Sequence, residues 1–118
     1  MIKQAELYQK NKRTMSIKKQ YLKSKPECKL SFRVEKEVAN NADSVKIVGE
    51  FNGWNQDVEP MKKLKSGDFT QTINLETGRE YQFKYLINDT IWENETDADK
   101  MVPNGIVEGE FNSVIELN

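Results

Sequence analysis

The sequence predicts an all-β fold, an antiparallel β-sandwich of about seven strands. From Cys28 onward, short segments alternate between apolar and polar residues, which is the period of a strand with one buried face. Glycine, asparagine and aspartate cluster between these segments, as expected of tight turns. Beyond Pro26 no segment has the spacing of an amphipathic helix. These three observations favour two packed sheets over any mixed architecture.

Length and charge divide the chain into a basic arm and one domain. The 118 residues, 36% of them hydrophobic, suffice for a single core. Residues 1–25 carry eight basic side chains and one acid, a net +7, whereas residues 26–118 carry ten basic and eighteen acidic side chains, a net −8. Pro26 ends any helix that begins before it. We therefore expect a basic N-terminal arm at 1–26, flexible or forming a short helix, and a β-sandwich domain at 27–118.

The first two predicted strands are 28–34 and 45–51. In the first, the even-numbered residues from Cys28 to Val34 are apolar and the odd-numbered ones are polar. A cluster of Ala, Asn and Asp at 39–43 makes the turn into the second. Asn52 and Gly53 then tolerate the positive φ of a sharp turn, which presents Trp54 immediately beyond it.

The remaining strands follow as turn-linked segments. Segment 60–64 is a short strand, and the turn at 65–68 leads it into 69–75. Strand 80–88 carries aromatic and aliphatic residues on one face and is followed, after a turn at 88–90, by the short strand 91–93. Residues 94–109 read as a polar loop, and 111–117 is the last strand.

Composition excludes several kinds of chemistry. The chain has no histidine and one cysteine, so we predict no zinc site, no histidine-dependent catalysis and no cofactor. The acids between Glu93 and Asp99 lack the glycine and glutamate placement of a calcium loop, and we interpret them as solvated. The net −8 of the domain disfavours nucleic acid. The single cysteine can form no internal disulfide, and no segment predicts a signal sequence or membrane insertion, so we expect a cytoplasmic protein.

Trp54 and Trp92 are the leading candidates for a binding site. Each follows a turn rich in Asn, Gly or Asp and is surrounded by polar residues. A flat indole can bury the apolar C–H face of a pyranose ring while the sugar hydroxyls stay free for polar partners. The alternative is that either Trp caps one end of the core.

Two polar residues stand out of phase with the buried faces of their strands. Lys84 points opposite to Phe83 and Tyr85, and Asn112 points opposite to Phe111 and Ser113. Both side chains can donate hydrogen bonds to sugar hydroxyls. The alternative is ordinary solvated surface.

The segment Gly49-Glu50-Phe51-Asn52-Gly53-Trp54 resembles the signature of a known protein family. This run resembles the G-x-F-N-x-W signature of carbohydrate-binding module family 48, the early-set domain of isoamylases and branching enzymes and the glycogen-binding domain of AMP-activated protein kinase beta subunits. The Y-x-F-K-Y strand at 81–85, the Trp after its turn and N-S-V-I at 112–115 follow in the expected order. The resemblance implies an immunoglobulin-like early-set sandwich. It also implies that the sugar is held by the residues matching Trp54, Lys84, Trp92 and Asn112.

The sequence departs from the kinase-type members in two places. The turn between Lys84 and Trp92 is longer than theirs, and the leucine that they insert into the glucan ring has no clear counterpart, with Ile106 or Val107 as substitutes. The resemblance implies a non-catalytic module for α-1,4-glucan such as glycogen, maltooligosaccharide or cyclodextrin. The alternative is a docking domain for a glucan-metabolising enzyme of the glycoside hydrolase family 13 type, without sugar binding of its own.

Overall fold

The computed structural model describes residues 15–118 and confirms the predicted all-β sandwich of antiparallel strands. Within this range the chain forms two sheets and no α-helix, hence no helix able to cross a bilayer. The strands of the described range are β1 (Met15–Tyr21), β2 (Glu27–Val34), β3 (Val45–Gly49), β4 (Lys62–Lys63), β5 (Phe69–Glu76), β6 (Arg79–Ile87), β7 (Ile91–Glu93), β8 (Lys100–Pro103) and β9 (Phe111–Leu117).

The nine strands of the described range form two sheets, which are the two layers of the sandwich. The first sheet has the order β1-β2-β5-β4, and the second has the order β3-β6-β9-β8, with β7 added beside β6. All pairs are antiparallel. β6 is the central strand of the second sheet because β3, β7 and β9 all pair with it.

The core lies between the inner faces of the two sheets. Phe32 of β2 meets Phe83 of β6 edge to face, with the ring centroids 5.7 Å apart, and Phe83 meets Tyr85 in the same geometry. The alternation along β2 and β6 directs these side chains inward, as the sequence predicts. Each sheet therefore has one outer face left for other contacts.

The predicted arm is wrong for residues 15–21, which form strand β1. Met15 pairs with Val34 and Tyr21 with Cys28, so β1 is an edge of the first sheet and belongs to the sandwich. The apolar–polar alternation of β1 is interrupted by Lys19, which shares the inward-facing side of the strand with Met15 and Ile17. Its ammonium group reaches Asp99 at 2.7 Å and the carbonyl of Glu116 at 3.0 Å, which joins β1 to the second sheet. The part of the arm at 1–14 lies outside the described residues.

The predicted polar loop at 94–109 also contains a strand. β8 pairs with β9, with Lys100 opposite Val114 and Pro103 opposite Phe111. A four-residue edge strand that ends in proline gives little periodic signal. The described residues therefore contain nine strands, two more than predicted.

Candidate functional site

The turn that carries Trp54 is closed by the side chain of Asn52. Its Oδ1 accepts a hydrogen bond from Gly49 N at 3.0 Å, and its Nδ2 donates to Ile47 O at 2.9 Å. Gly49 cannot carry a side chain, because a Cβ there would lie 2.5 Å from Gln82 O and 2.6 Å from Phe83 Cβ. These contacts explain why the G-x-F-N-x-W pattern needs Gly and Asn at these two positions.

Trp54 itself is held in a left-handed backbone conformation, with φ of 57°. Gly53 precedes it at φ 66°, and the amide of Trp54 donates to Gly49 O at 2.8 Å. A bulky residue in this region is strained, and such strain persists only where the surrounding structure fixes it. Here it turns the indole toward the outer face of the second sheet, where it remains 36% exposed.

Lys84 lies on the outer face of β6, as predicted, but its side chain is only 9% exposed. The ammonium group donates to the carbonyl of Phe111 at 2.9 Å, and Asn94 Nδ2 donates to the same oxygen at 3.0 Å. The alternative interpretation of Lys84 as ordinary solvated surface is therefore wrong. Its aliphatic stem is covered, and only part of its hydrogen-bonding capacity is free for a ligand.

Trp92 reaches the same face through the β6–β7 hairpin. Asn88 and Asp89 both have positive φ, and the hairpin returns the chain so that Trp92 stands opposite Leu86. Leu86 and Lys84 lie two residues apart on β6 and therefore share a face. The longer turn does not carry the second indole away from Lys84.

Trp54, Lys84 and Trp92 line one groove of about 300 Å³. The two indoles are exposed to similar extents, 36% and 39%, so neither is a core residue. The remaining lining comes from the segment between β8 and β9: Asn104, Ile106, Val107 and Glu110. The structure thus brings together three of the four predicted site residues.

Asn112 lies in a neighbouring depression rather than in this groove. That depression, of about 250 Å³, shares Trp54, Asn104 and Ile106 with the groove and is completed by Gln82 and Asn112. Asn112 Nδ2 donates to Gln82 Oε1 at 3.0 Å, and the residue is almost fully buried. Trp54 therefore separates two adjoining depressions, with Lys84 in one and Asn112 in the other.

The segment between β8 and β9 is shaped by Asn104. Its Oδ1 accepts hydrogen bonds from the amides of Ile106 at 2.8 Å and Val107 at 3.0 Å. This turn places Ile106 at the rim of both depressions, and Ile106 is 88% exposed. An aliphatic side chain held this far into solvent is available to contact a ligand.

Gln82 and Asn104 are missing from the predicted site. Gln82 shares the outer face of β6 with Lys84, and the same alternation argument could have identified it. Asn104 had no local signal beyond its place between Pro103 and Gly105. Its position depends on the pairing of β8, which the sequence analysis did not predict.

Glu95 overturns the interpretation of residues 93–99 as a solvated acidic loop. It is fully buried, and its Oε1 accepts a hydrogen bond from the Tyr85 hydroxyl at 2.5 Å, while Oε2 accepts from Asp97 N at 2.9 Å. Burial raises the pKa of the Glu95 carboxyl, and the Tyr85 hydroxyl opposes that rise. Through the hydrogen bond with Tyr85, Glu95 holds the segment that follows Trp92 against the core. Among residues 15–118, no group of acids or cysteine is placed to hold a metal ion.

An antiparallel β-sandwich with two half-exposed indoles on one outer face has the architecture of a carbohydrate-binding module. The family model described as the glycogen recognition site of AMP-activated protein kinase matches residues 34–118, and the chain belongs to this family. No curated protein matches the sequence significantly.

Proposed function

We propose that this domain binds α-1,4-glucan of the glycogen or starch type, without catalysis, through Trp54, Trp92, Lys84 and Asn112. The observation that carries the proposal is the groove that Trp54, Lys84 and Trp92 line together. Membership in a glycogen recognition family supports the class of ligand.

The groove and the adjoining depression together have the two kinds of contact that a sugar requires. The indoles offer flat apolar surface for the C–H faces of successive glucose rings. Lys84 and Asn112 offer N–H donors for hydroxyl oxygens, and Gln82 holds the Asn112 amide in place. Because the strained turn at Trp54 is fixed before any ligand arrives, little entropy is lost in ordering the platform.

The two adjoining depressions indicate how long a glucan has to be to fill the site. A ligand that contacts Lys84 and Asn112 together has to pass over Trp54 and beside Ile106. A single glucose unit stacks on one indole only. We therefore expect affinity to rise steeply from maltose to maltoheptaose and β-cyclodextrin, whose curvature follows the helical turn of α-1,4-glucan.

Tryptophan fluorescence tests the proposal, because the chain contains only the two tryptophans of the groove. Titration with β-cyclodextrin should give a saturable change in emission. The dissociation constant should differ little between about 0.05 and 0.5 M salt, since hydrogen bonds to neutral hydroxyls are not screened as charges are. No response to β-cyclodextrin or maltoheptaose would contradict the proposal.

The alternative is a docking domain for a glucan-metabolising enzyme, and it makes the opposite prediction for salt. Docking of the acidic domain on a basic partner surface would weaken as ionic strength rises. A cytoplasmic location is part of the same proposal and rests on the single cysteine, which can form no internal disulfide.

A further inference from the structure

The depression that holds Asn112 is lined, among the described residues, by three carboxamide side chains and no charged one. Gln82, Asn104 and Asn112 supply the amides, and Trp54 and Ile106 complete the wall. A neutral site of this kind suits hydroxyl groups, because an amide can both donate and accept hydrogen bonds. Of the three amide residues, Asn104 alone also lines the neighbouring groove. It therefore lies where the depression and the groove meet.

The side chain of Asn104 has a fixed orientation, because its oxygen accepts hydrogen bonds from two backbone amides. Ile106 N lies 2.8 Å and Val107 N lies 3.0 Å from Oδ1. Backbone amides only donate, so the atom that meets them has to be the oxygen and not the nitrogen. The segment is also tied at its ends, since Asn104 N donates to Glu110 O at 2.9 Å. The carboxamide is thus oriented before any ligand binds.

The nitrogen of the same carboxamide is free. Within residues 15–118, Asn104 Nδ2 donates to no other residue. Asn104 is half-buried, and in this range Gln71 Oε1 is the only buried side-chain nitrogen or oxygen without a partner. Solvent therefore reaches Nδ2. Because Oδ1 faces the loop amides, the two N–H groups of Nδ2 lie on the other side of the carboxamide, away from them.

We propose that Asn104 contacts the glucan directly, and that its Nδ2 donates to a hydroxyl oxygen of the glucose unit that crosses between the depression and the groove. The inference rests on the proposed function, because it adds one binding residue to the same site. The free nitrogen is the part of this side chain that the fold does not use. Since the oxygen is already held by the loop, a hydroxyl gains a preorganised donor, and little side-chain entropy is lost on binding.

The variant N104S tests this contact by calorimetric titration with maltoheptaose. A serine hydroxyl can accept from the amide two residues ahead, as an asparagine oxygen does, but it has no Nδ2. We expect N104S to bind about three- to tenfold more weakly than the wild type, as for one lost hydrogen bond.

The matched control is N55S. Asn55 Oδ1 also accepts from the amide two residues ahead, that of Asp57 at 2.9 Å, but Asn55 lines neither the groove nor the depression. N55S should bind maltoheptaose as tightly as the wild type. An equal loss in N55S and N104S would overturn the proposal.

Two further measurements separate a contact from a positioning role, because Asn104 also holds the turn that carries Ile106. In the I106A background the backbone amide remains and the aliphatic side chain is gone. N104S should weaken binding by the same factor in this background as in the wild type. In the NMR spectrum of the wild type, the Nδ2 protons of Asn104 should shift on saturation with maltoheptaose. A loss that vanishes in I106A, or an unshifted Nδ2 signal, would overturn the contact.

The same titrations distinguish this inference from the proposed function. A wild-type chain that does not bind maltoheptaose contradicts the proposed function and the Asn104 contact together. A wild-type chain that binds it, with N104S binding equally well, contradicts the Asn104 contact alone.

Discussion

Asn52 holds Trp54 in place through two hydrogen bonds of its side-chain amide, one to Gly49 N and one to Ile47 O. The amide thus ties the left-handed turn to the end of β3, two residues before the indole that forms one wall of the groove. Asn52 need not touch a ligand to control the site.

Replacing Asn52 by alanine should weaken glucan binding about as much as removing the indole. The variant leaves Gly49 N and Ile47 O without partners, which costs about 1–3 kcal/mol of folding stability, and it frees Trp54 from its strained conformation. Asn55→Ala is the control, because Asn55 lies in the same turn and its side chain accepts a hydrogen bond from Asp57 N but makes none to β3. In the double variant N52A/W54A the affinity should fall no further than in W54A, and an additive loss would refute the positioning role.

Trp54→Ala and Trp92→Ala should each weaken binding of maltoheptaose by about tenfold, or about 1–2 kcal/mol, and leave the melting temperature nearly unchanged. Both side chains are more than one-third exposed, so their removal leaves no buried cavity. Calorimetry and thermal unfolding of the same samples separate the two effects. Unfolding of either variant would show that its indole supports the fold.

Seven of the nine strands in the described range and the two indoles could be predicted from local pattern, whereas β1, β8 and the wall of the groove beside β8 could not. Period two identifies β2, β6 and β9, and the phase of β6 and of β9 locates Lys84 and Asn112, respectively. The burial of Lys84 depends on Phe111 O, which lies 27 residues away in sequence. β1 was hidden by Lys19, whose partners lie 80 or more residues along the chain. Contacts of this range leave no periodic trace in the sequence.

Removal of residues 1–14 should leave thermal stability and glucan affinity nearly unchanged, because that segment has no strand pattern. Removal of residues 1–21 should lower the free energy of unfolding by at least about 2 kcal/mol, since it deletes the buried Met15 and the pairing of β1 with β2. Chemical denaturation of the two truncated chains measures the difference. Equal stability of both would contradict the place of β1 in the sandwich.

Tyr85→Phe should destabilise the domain more at pH 7 than at pH 4. Burial raises the pKa of Glu95 in the folded state above its value in the unfolded state. The carboxyl therefore stabilises the fold most at a pH below its unfolded-state pKa, and this contribution is lost as pH rises through its folded-state pKa. The variant removes the hydroxyl that favours the charged form, which raises this pKa further. The expected loss at pH 7 is about 1–3 kcal/mol.

The control for this pH effect is Glu95→Gln, whose amide does not ionise. In the E95Q background, the Tyr85→Phe substitution should cost the same at pH 4 and pH 7. If the substitution in the wild-type background also cost the same at both pH values, Glu95 would not be the group that titrates.

Calorimetric titration with maltohexaose and cellohexaose tests the central claim most directly. Both indoles and Ile106 line the groove together with Lys84. The proposed function requires this surface to follow the turn of an α-1,4-linked chain and not the straight ribbon of a β-1,4-linked one. The account predicts saturable binding of maltohexaose and at least about tenfold weaker binding of cellohexaose, a difference of about 1.4 kcal/mol. Equal binding of the two sugars, or binding of neither, would contradict it.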